Sequence, residues 1–155
     1  MATLDKLDRR ILALLQVNAR RSSEEIAETV GLSPTAVQRR IRRLREDGVI
    51  RAEVALVSAE SMGRRLTALV EIELLAGSRD DLIDDFKRRM AARPEVQQCY
   101  YVSGEYDFLL VVTAEDLADY ERVTRALFFG DGNIRKFRSV FVLDPVKVGL
   151  QVPVE

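Results

Sequence analysis

The stretch that decides the reading is Leu32-Ser33-Pro34-Thr35-Ala36-Val37-Gln38-Arg39-Arg40-Ile41-Arg42-Arg43-Leu44-Arg45-Glu46-Asp47-Gly48-Val49-Ile50. Ser33 before Pro34 is an N-cap followed by a residue whose fixed φ and missing N–H suit the first helical position. From there the spacing predicts a helix to about Asp47. Val37, Ile41 and Leu44 recur at i, i+4 and i+7, so one side packs. At about 100° per residue, Thr35, Arg39, Arg42 and Glu46 fall on the opposite side, flanked by Gln38 and Arg43. Asp47-Gly48 is a turn signal. Val49 to Val57 then reads as a strand, with Ile50, Ala52, Val54 and Leu56 on one face.

Toward the N-terminus the same logic gives two more helices. Leu7, Ile11, Leu14 and Leu15 form an amphipathic stripe that Asp5 can cap. That helix should end between Asn18 and Arg21. Ser22 and Glu25 form a capping box for the next, which carries Ile26, Ala27 and Val30 inward and stops at Gly31. Two short helices joined through Gly31-Leu32-Ser33, with a basic outer face on the second, match a helix-turn-helix, and the following strand suits a winged variant. A helix of this kind enters the major groove, with residues near its N-terminus at base edges and arginines on guanine or phosphate. Thr35, Gln38 and Arg39 are therefore assigned to base edges, beside Ser33 at the helix start. Arg42, Arg43 and Arg51 are assigned to phosphates. The expected partner is double-stranded DNA.

Toward the C-terminus, Ser58 to Arg65 is polar, carries Gly63 and reads as a hinge. Beyond it, Leu66, Ala68, Val70, Ile72 and Leu74 alternate with Thr67, Glu71 and Glu73, a half-buried strand. Ser78 is expected to cap a helix carrying Leu82, Ile83, Phe86 and Met90 inward and stopped by Pro94. Strands follow at Val96–Ser103 and Asp107–Thr113, joined by a tight connection. A helix from Glu115 to Phe129 turns Leu117, Tyr120, Val123, Leu127 and Phe128 inward. A final strand spans Phe137 to Leu143. The order, strand-helix-strand-strand-helix-strand, is the ferredoxin-like βαββαβ pattern. The expected fold class is thus α+β, a winged helix-turn-helix before a ferredoxin-like domain. The expected divisions are 1–50, a linker strand and hinge at 51–65, the second domain at 66–149 and a tail at 150–155.

Composition narrows the function classes. The 155 residues carry 24 basic and 25 acidic side chains, a net charge of −1, and are 47% hydrophobic, the balance of a globular protein. The neutral total hides a split: residues 1–50 hold 10 basic against 7 acidic residues, +3, and residues 51–155 hold 14 against 18, −4. A small basic segment on an acidic chain asks what anion it meets. With no histidine there is no Ser-His-Asp or Cys-His catalysis and no histidine metal site. One cysteine allows no disulfide within the chain and no Cys-x-x-Cys motif. No metal, catalytic or cofactor site is expected. No apolar run reaches the ~18 residues of a membrane span, and no secretory signal stands at the start, so a cytoplasmic home and no membrane partner are expected.

The residues from Leu32 to Ile50 closely resemble the recognition helix of the leucine-responsive and asparagine regulator (Lrp/AsnC) family. Leu4-Asp5-Lys6-Leu7-Asp8-Arg9-Arg10-Ile11-Leu12 resembles that family's first helix. Val102-Ser103-Gly104-Glu105-Tyr106-Asp107 resembles the glycine-x-x-aspartate loop of its effector domain. The resemblance spans about residues 4–149. It implies a transcription regulator whose C-terminal domain dimerises and binds a small effector, usually an amino acid. It also implies dimers that assemble further, commonly to octamers, with the linker strand pairing between subunits. Carried onto this chain, Ser103, Gly104, Glu105, Tyr106 and Asp107 become effector candidates. Gly104 lets backbone amides approach a carboxylate, and Glu105 or Asp107 can hold an ammonium group. Family members often carry a threonine on the last strand near the ligand; here Ser139 stands there.

Two other readings remain open. An architectural protein would wrap DNA without a ligand. Sirohaem decarboxylases resemble this family, but they use histidines at the tetrapyrrole site, and this chain has none. Lesser features read as structural. Cys99 is a buried small hydrophobe. Asp80, Asp81, Asp84 and Asp85 form a solvated helix face. Gly130-Asp131-Gly132 is a loop without the context of a dinucleotide site. Of the adjacent Tyr100 and Tyr101, at most one faces the core.

Overall fold

Asp5, Ser22 and Ser33 each meet the same need, an acceptor for helical N–H groups that have no partner in the first turn. In the computed structural model, which describes residues 3–75 and 80–154, Asp5 caps α1 (Lys6–Val17). Its Oδ1 accepts from the Asp8 N–H at 2.8 Å while Asp8 Oδ2 accepts from the Asp5 N–H at 3.1 Å. Ser22 and Glu25 make the reciprocal pair that opens α2 (Ser23–Val30). Gly31 ends it at φ 74°, a backbone region open to glycine but costly for side chains with a Cβ. Ser33 then caps α3 (Pro34–Glu46). Ile11, Ile26, Ala27, Val30, Val37 and Ile41 make the shared core, with Ile50 packed at its edge.

The segment after α3 departs from the sequence reading. Residues 51–57 form no strand. A strand exists only against a partner that takes its N–H and C=O groups, and no described residue pairs with this one. Leu56 is 89% exposed, and Val54 and Val57 are exposed beside it. The winged element is therefore absent from the single chain.

The second unit is built on one antiparallel sheet. β1 (Leu66–Leu74), β2 (Val96–Tyr101), β3 (Phe108–Ala114) and β4 (Ile134–Phe141) stand in the order β2-β3-β1-β4. Val70 faces Leu110 on one side and Ser139 on the other. α4 (Asp80–Ala91) and α5 (Leu117–Phe128) cover the same side of this sheet. Phe86 and Met90 of α4 and Tyr120, Val123, Leu127 and Phe128 of α5 all pack with Ala68, Val70, Ile72, Phe108, Leu110 and Val112. That is the expected ferredoxin-like arrangement. Leu82 and Leu117, expected inward, are exposed; each lies in the first turn of its helix, at the margin of the core. The expected cap Ser78 lies outside the described residues. Cys99 is half-buried, and both Tyr100 and Tyr101 are exposed, with Tyr101 resting on Phe108 at a 5.0 Å ring separation.

The compact units do not follow the expected divisions. One comprises Met1–Leu56 together with Lys147–Glu155, the other Val57–Val146. The C-terminal segment, expected as a tail, is seated on α1. The Gln16 amide pairs with Val152 in both directions: the Val152 N–H donates to Oε1 at 2.8 Å and Nε2 donates to the Val152 carbonyl at 2.9 Å. Gln151 Nε2 donates to the Gln16 carbonyl at 2.8 Å, and Arg9 donates to the Val154 carbonyl at 3.1 Å. A glutamine side chain here supplies the donor and acceptor that a neighbouring strand would.

Candidate DNA interface and effector loop

α3 presents the chemistry, and its arginines sort by partner. Arg40 and Arg43 turn back to α1. Arg40 Nη1 lies 2.7 Å from Asp5 Oδ2 and 2.8 Å from Asp8 Oδ1, and Arg43 Nη2 lies 2.5 Å from Asp8 Oδ2. Hydrogen bonds from the Asp8 N–H and from Arg40 hold the Asp5 carboxyl below its ordinary range, and the same pairing raises the Arg40 guanidinium further. Arg42 pairs with Glu46 one turn on, at 2.8 Å and largely exposed, where such a pair contributes about 0.3–0.5 kcal/mol. Arg45 reaches Glu53. Among the described residues, Arg39 and Arg51 make no ion pair.

The sequence assignments meet this geometry unevenly. Thr35, Gln38, Arg39 and Arg42 are exposed along one side of α3, away from Val37, Ile41 and Leu44. Ser33 is exposed at the helix start, its Oγ already accepting from the Ala36 N–H at 3.2 Å. Arg51 is exposed in the irregular segment beyond. Arg43 is exposed over 47% of its side chain, but its guanidinium is engaged with Asp8. Asp8 itself, 1% exposed, escaped the sequence reading. The signal was there: Asp8 shares the apolar stripe of α1 with Ile11 and Leu15, three and seven residues on. A carboxylate in that stripe demands a cation.

In the second unit, residues 102–107 join β2 to β3. The Val102 N–H donates to the Asp107 carbonyl at 2.9 Å, and the Asp107 N–H donates to the Ile72 carbonyl at 2.8 Å. The Asp107 carboxylate accepts from the Leu74 N–H at 2.7 Å. So Asp107 ties the loop to β1. Gly104 takes φ 152°, and it stands exposed with Ser103 at the turn. Glu105 and Tyr106 line a cavity of about 170 Å³ with Glu71, Glu73, Lys136, Phe137 and Arg138.

The electrostatics of that cavity centre on Glu71 and Arg138, neighbours across β1 and β4. Arg138 Nε lies 2.5 Å and Nη2 2.9 Å from the two Glu71 oxygens, a bidentate fork. It holds the Glu71 carboxyl below its ordinary range, and Glu71 in turn raises Arg138. Glu73 pairs with Arg135 at 2.6 Å. Such a lining offers carboxylate and cationic groups together, which is what a zwitterion needs. Ser139 is not part of it. Its Oγ accepts from the Tyr120 hydroxyl at 2.6 Å, so it faces α5 on the other side of the sheet from Arg138. Burial pushes that phenol up. The sequence marks Glu71 and Glu73 only as outward charges on a strand, because strand alternation does not show that β4 brings Lys136 and Arg138 beside them. Among the described residues there is no cluster suited to a metal ion, and no helix is long and apolar enough to cross a membrane.

Comparison with known proteins matches both units. Residues 4–45 match the AsnC-type helix-turn-helix domain, and residues 67–152 match the Lrp/AsnC ligand binding domain. An uncharacterised HTH-type transcriptional regulator of Sinorhizobium fredii is 45% identical over 98% of this chain and 89% of its own length. The crystal structure of an AsnC family transcriptional regulator from Agrobacterium tumefaciens has a TM-score of 0.91 at 33% identity, covering 97% of each chain. A Neisseria meningitidis transcriptional regulator in complex with L-methionine has a TM-score of 0.88 at 32% identity, over 98% of this chain and 97% of that one. This chain belongs to the Lrp/AsnC family of transcription regulators.

Proposed function

We propose that this regulator reads DNA through Thr35, Gln38 and Arg39 of α3, with Ser33 at the helix start, and holds phosphates with Arg42, Arg43 and Arg51. The observation that carries this is the sorting of the arginines: Arg39 has no ion pair among the described residues, on the exposed side of a capped, packed helix. Its effector is an amino acid, taken up beside the Ser103–Asp107 loop. Glu105 and Tyr106 contribute directly to the cavity there, and Asp107 holds the loop in place. The methionine complex of the Neisseria regulator supports that effector class. Binding would act by linkage, favouring one assembly or one arrangement of DNA-binding heads.

The reading includes a homodimer, assembling further to an octamer, in the cytoplasm. Two surfaces support self-association. The sheet side away from α4 and α5 exposes Leu69 (36%) and Val140 (45%), which pair across β1 and β4. Residues 51–57 expose Val54, Leu56 and Val57 and have no strand partner among the described residues. A second copy supplies both needs. The protein acts by binding and not by catalysis; its relatives are named as regulators. The test combines a thermal-shift screen of the twenty amino acids with DNA binding in the presence of each hit. A stabilising amino acid that also changes DNA affinity is the expected result. Stabilisation by none, with intact DNA binding, would favour an architectural protein. An absorbance band on adding tetrapyrrole would revive the decarboxylase reading.

A further inference from the structure

A carboxylate in the apolar stripe of α1 is an odd choice for stability alone. Asp8 shares that face with Ile11 and Leu15, and although its Oδ2 completes the capping box with the Asp5 N–H, that bond alone does not require the charge to be buried. Buried ion pairs add little net stability over apolar replacements of similar shape, and their clearer use is to specify one arrangement. Here the arrangement concerns α3. Asp8 Oδ1 takes Arg40 and Oδ2 takes Arg43, while Oδ2 also accepts the Asp5 N–H. Arg40 and Arg43 are three residues apart and so neighbours on one flank of the helix. Two attachments on that flank fix the rotation of α3 about its own axis. The rotation decides whether Thr35, Gln38, Arg39 and Arg42 face outward together. The apolar contacts of Val37, Ile41 and Leu44 are non-directional and resist a small rotation far less.

We propose that Asp8 is a positioning residue for sequence recognition, acting through Arg40 and Arg43 to set the rotation of α3 and to present Arg43 to a phosphate as a shared guanidinium. This rests on the DNA-reading face proposed above. Arg43 can be shared because its fork carries five N–H donors. The bond to Asp8 engages Nη2, and nearly half the side chain remains exposed. Asp8 therefore helps specific binding while its negative charge opposes binding to DNA of any sequence. These two effects have opposite signs, which separates positioning from both a general electrostatic role and a general structural one.

The test uses the full chain and two duplexes. One is selected by the wild-type protein from a randomised pool, and the other is a scramble of the same composition. The readout is the ratio of the two affinities at fixed salt. Asp8→Asn should lower this ratio by about tenfold, the size of a coupling between side chains in contact. Its binding to the scrambled duplex should stay level or tighten. Asp8→Glu, which keeps the charge, should recover part of the ratio. In the double variant with Arg43→Ala the losses should be less than additive. Equal weakening on both duplexes, or an unchanged ratio in a folded Asp8→Asn protein, overturns the proposal. If circular dichroism shows that Asp8→Asn does not fold, Arg43→Lys decides. Lysine keeps the charge but cannot divide a planar fork between Asp8 and a phosphate, so the ratio should still fall; an unchanged ratio overturns the proposal. A wild-type protein that selects no sequence would instead remove the DNA-reading face itself, and this inference with it.

Discussion

The two units treat their apolar residues differently. In the helical unit, three capped helices close around Ile11, Ile26, Val37 and Ile41, and the outward sides of α3 carry charge. In the sheet unit, one side of the sheet is closed by α4 and α5 while the other leaves Leu69, Val140 and Tyr100 in solvent. The first resembles a finished surface that waits for an anion. The second resembles half of a core. The difference teaches that the −1 net charge is a sum over two unlike surfaces, a basic helix face in one unit and a half-covered sheet in the other.

That contrast can be tested at several strengths. Phe108 lies at the centre of the closed side, wholly buried and 4.6 Å from the Phe86 ring. Phe108→Ala should cost about 3–5 kcal/mol in urea unfolding, as truncation of a buried aromatic does. A loss under about 1 kcal/mol would mean that this side is not a packed core. On the open side, Leu69→Lys with Val140→Lys should shift light scattering from dimer to monomer. Unfolding of the monomer itself should change by roughly 0.5 kcal/mol or less, as for surface positions. A dimer that survives would move the interface elsewhere.

On α3, Arg39→Ala should relax sequence preference at a cost of about 1–3 kcal/mol on the selected duplex. Equal loss on selected and random DNA would remove Arg39 from base readout. Gln16→Ala should release the C-terminal segment, with faster amide exchange at Val152 and a stability loss of about 1 kcal/mol; unchanged exchange would leave Gln16 without that role. Acid gives the mildest effect. Asp5 in one unit, and Glu71 and Asp119 in the other, have folded pKa values lowered by hydrogen bonds. Their contribution is complete above the ordinary values of 3.8 for Asp and 4.5 for Glu and is lost as pH falls through the lower folded ones. Urea midpoints should therefore stay level down to that range and then fall. A midpoint that rises on acidification would contradict the sign.

What was legible follows interaction range. The Ser22–Glu25 box, the Ser33-Pro34 start and the Gly31 stop act over three or four residues, so the residue order alone carries them. The succession of strands and helices in the second unit followed from alternation and helix spacing. The facing of Ser139 was also within reach, since it shares strand parity with Phe137 and Phe141, both in contact with aromatic rings of the helix layer. The strand expected at Val49 to Val57 is absent from the single chain for a different reason. Alternation describes a face that wants covering, and it does not say whether the cover lies in the same chain.

Helix starts, helix stops, the buried faces and the two-part plan are set by order along the chain, because caps and periodicity are short-range. Which charges meet is not. Asp8 finds its arginines 32 and 35 residues away, and Gln16 finds Val152 136 residues away. Glu71 finds Arg138 across a strand pair separated by 67 residues. Each partner is one of many of its type, and only the packing of apolar faces brings a particular pair within the few ångströms at which a hydrogen bond has any strength. The arginine run from 39 to 45 thus announced a basic helix. The fold divided that run: Arg40 and Arg43 reach back to α1, while Arg39 makes no ion pair among the described residues.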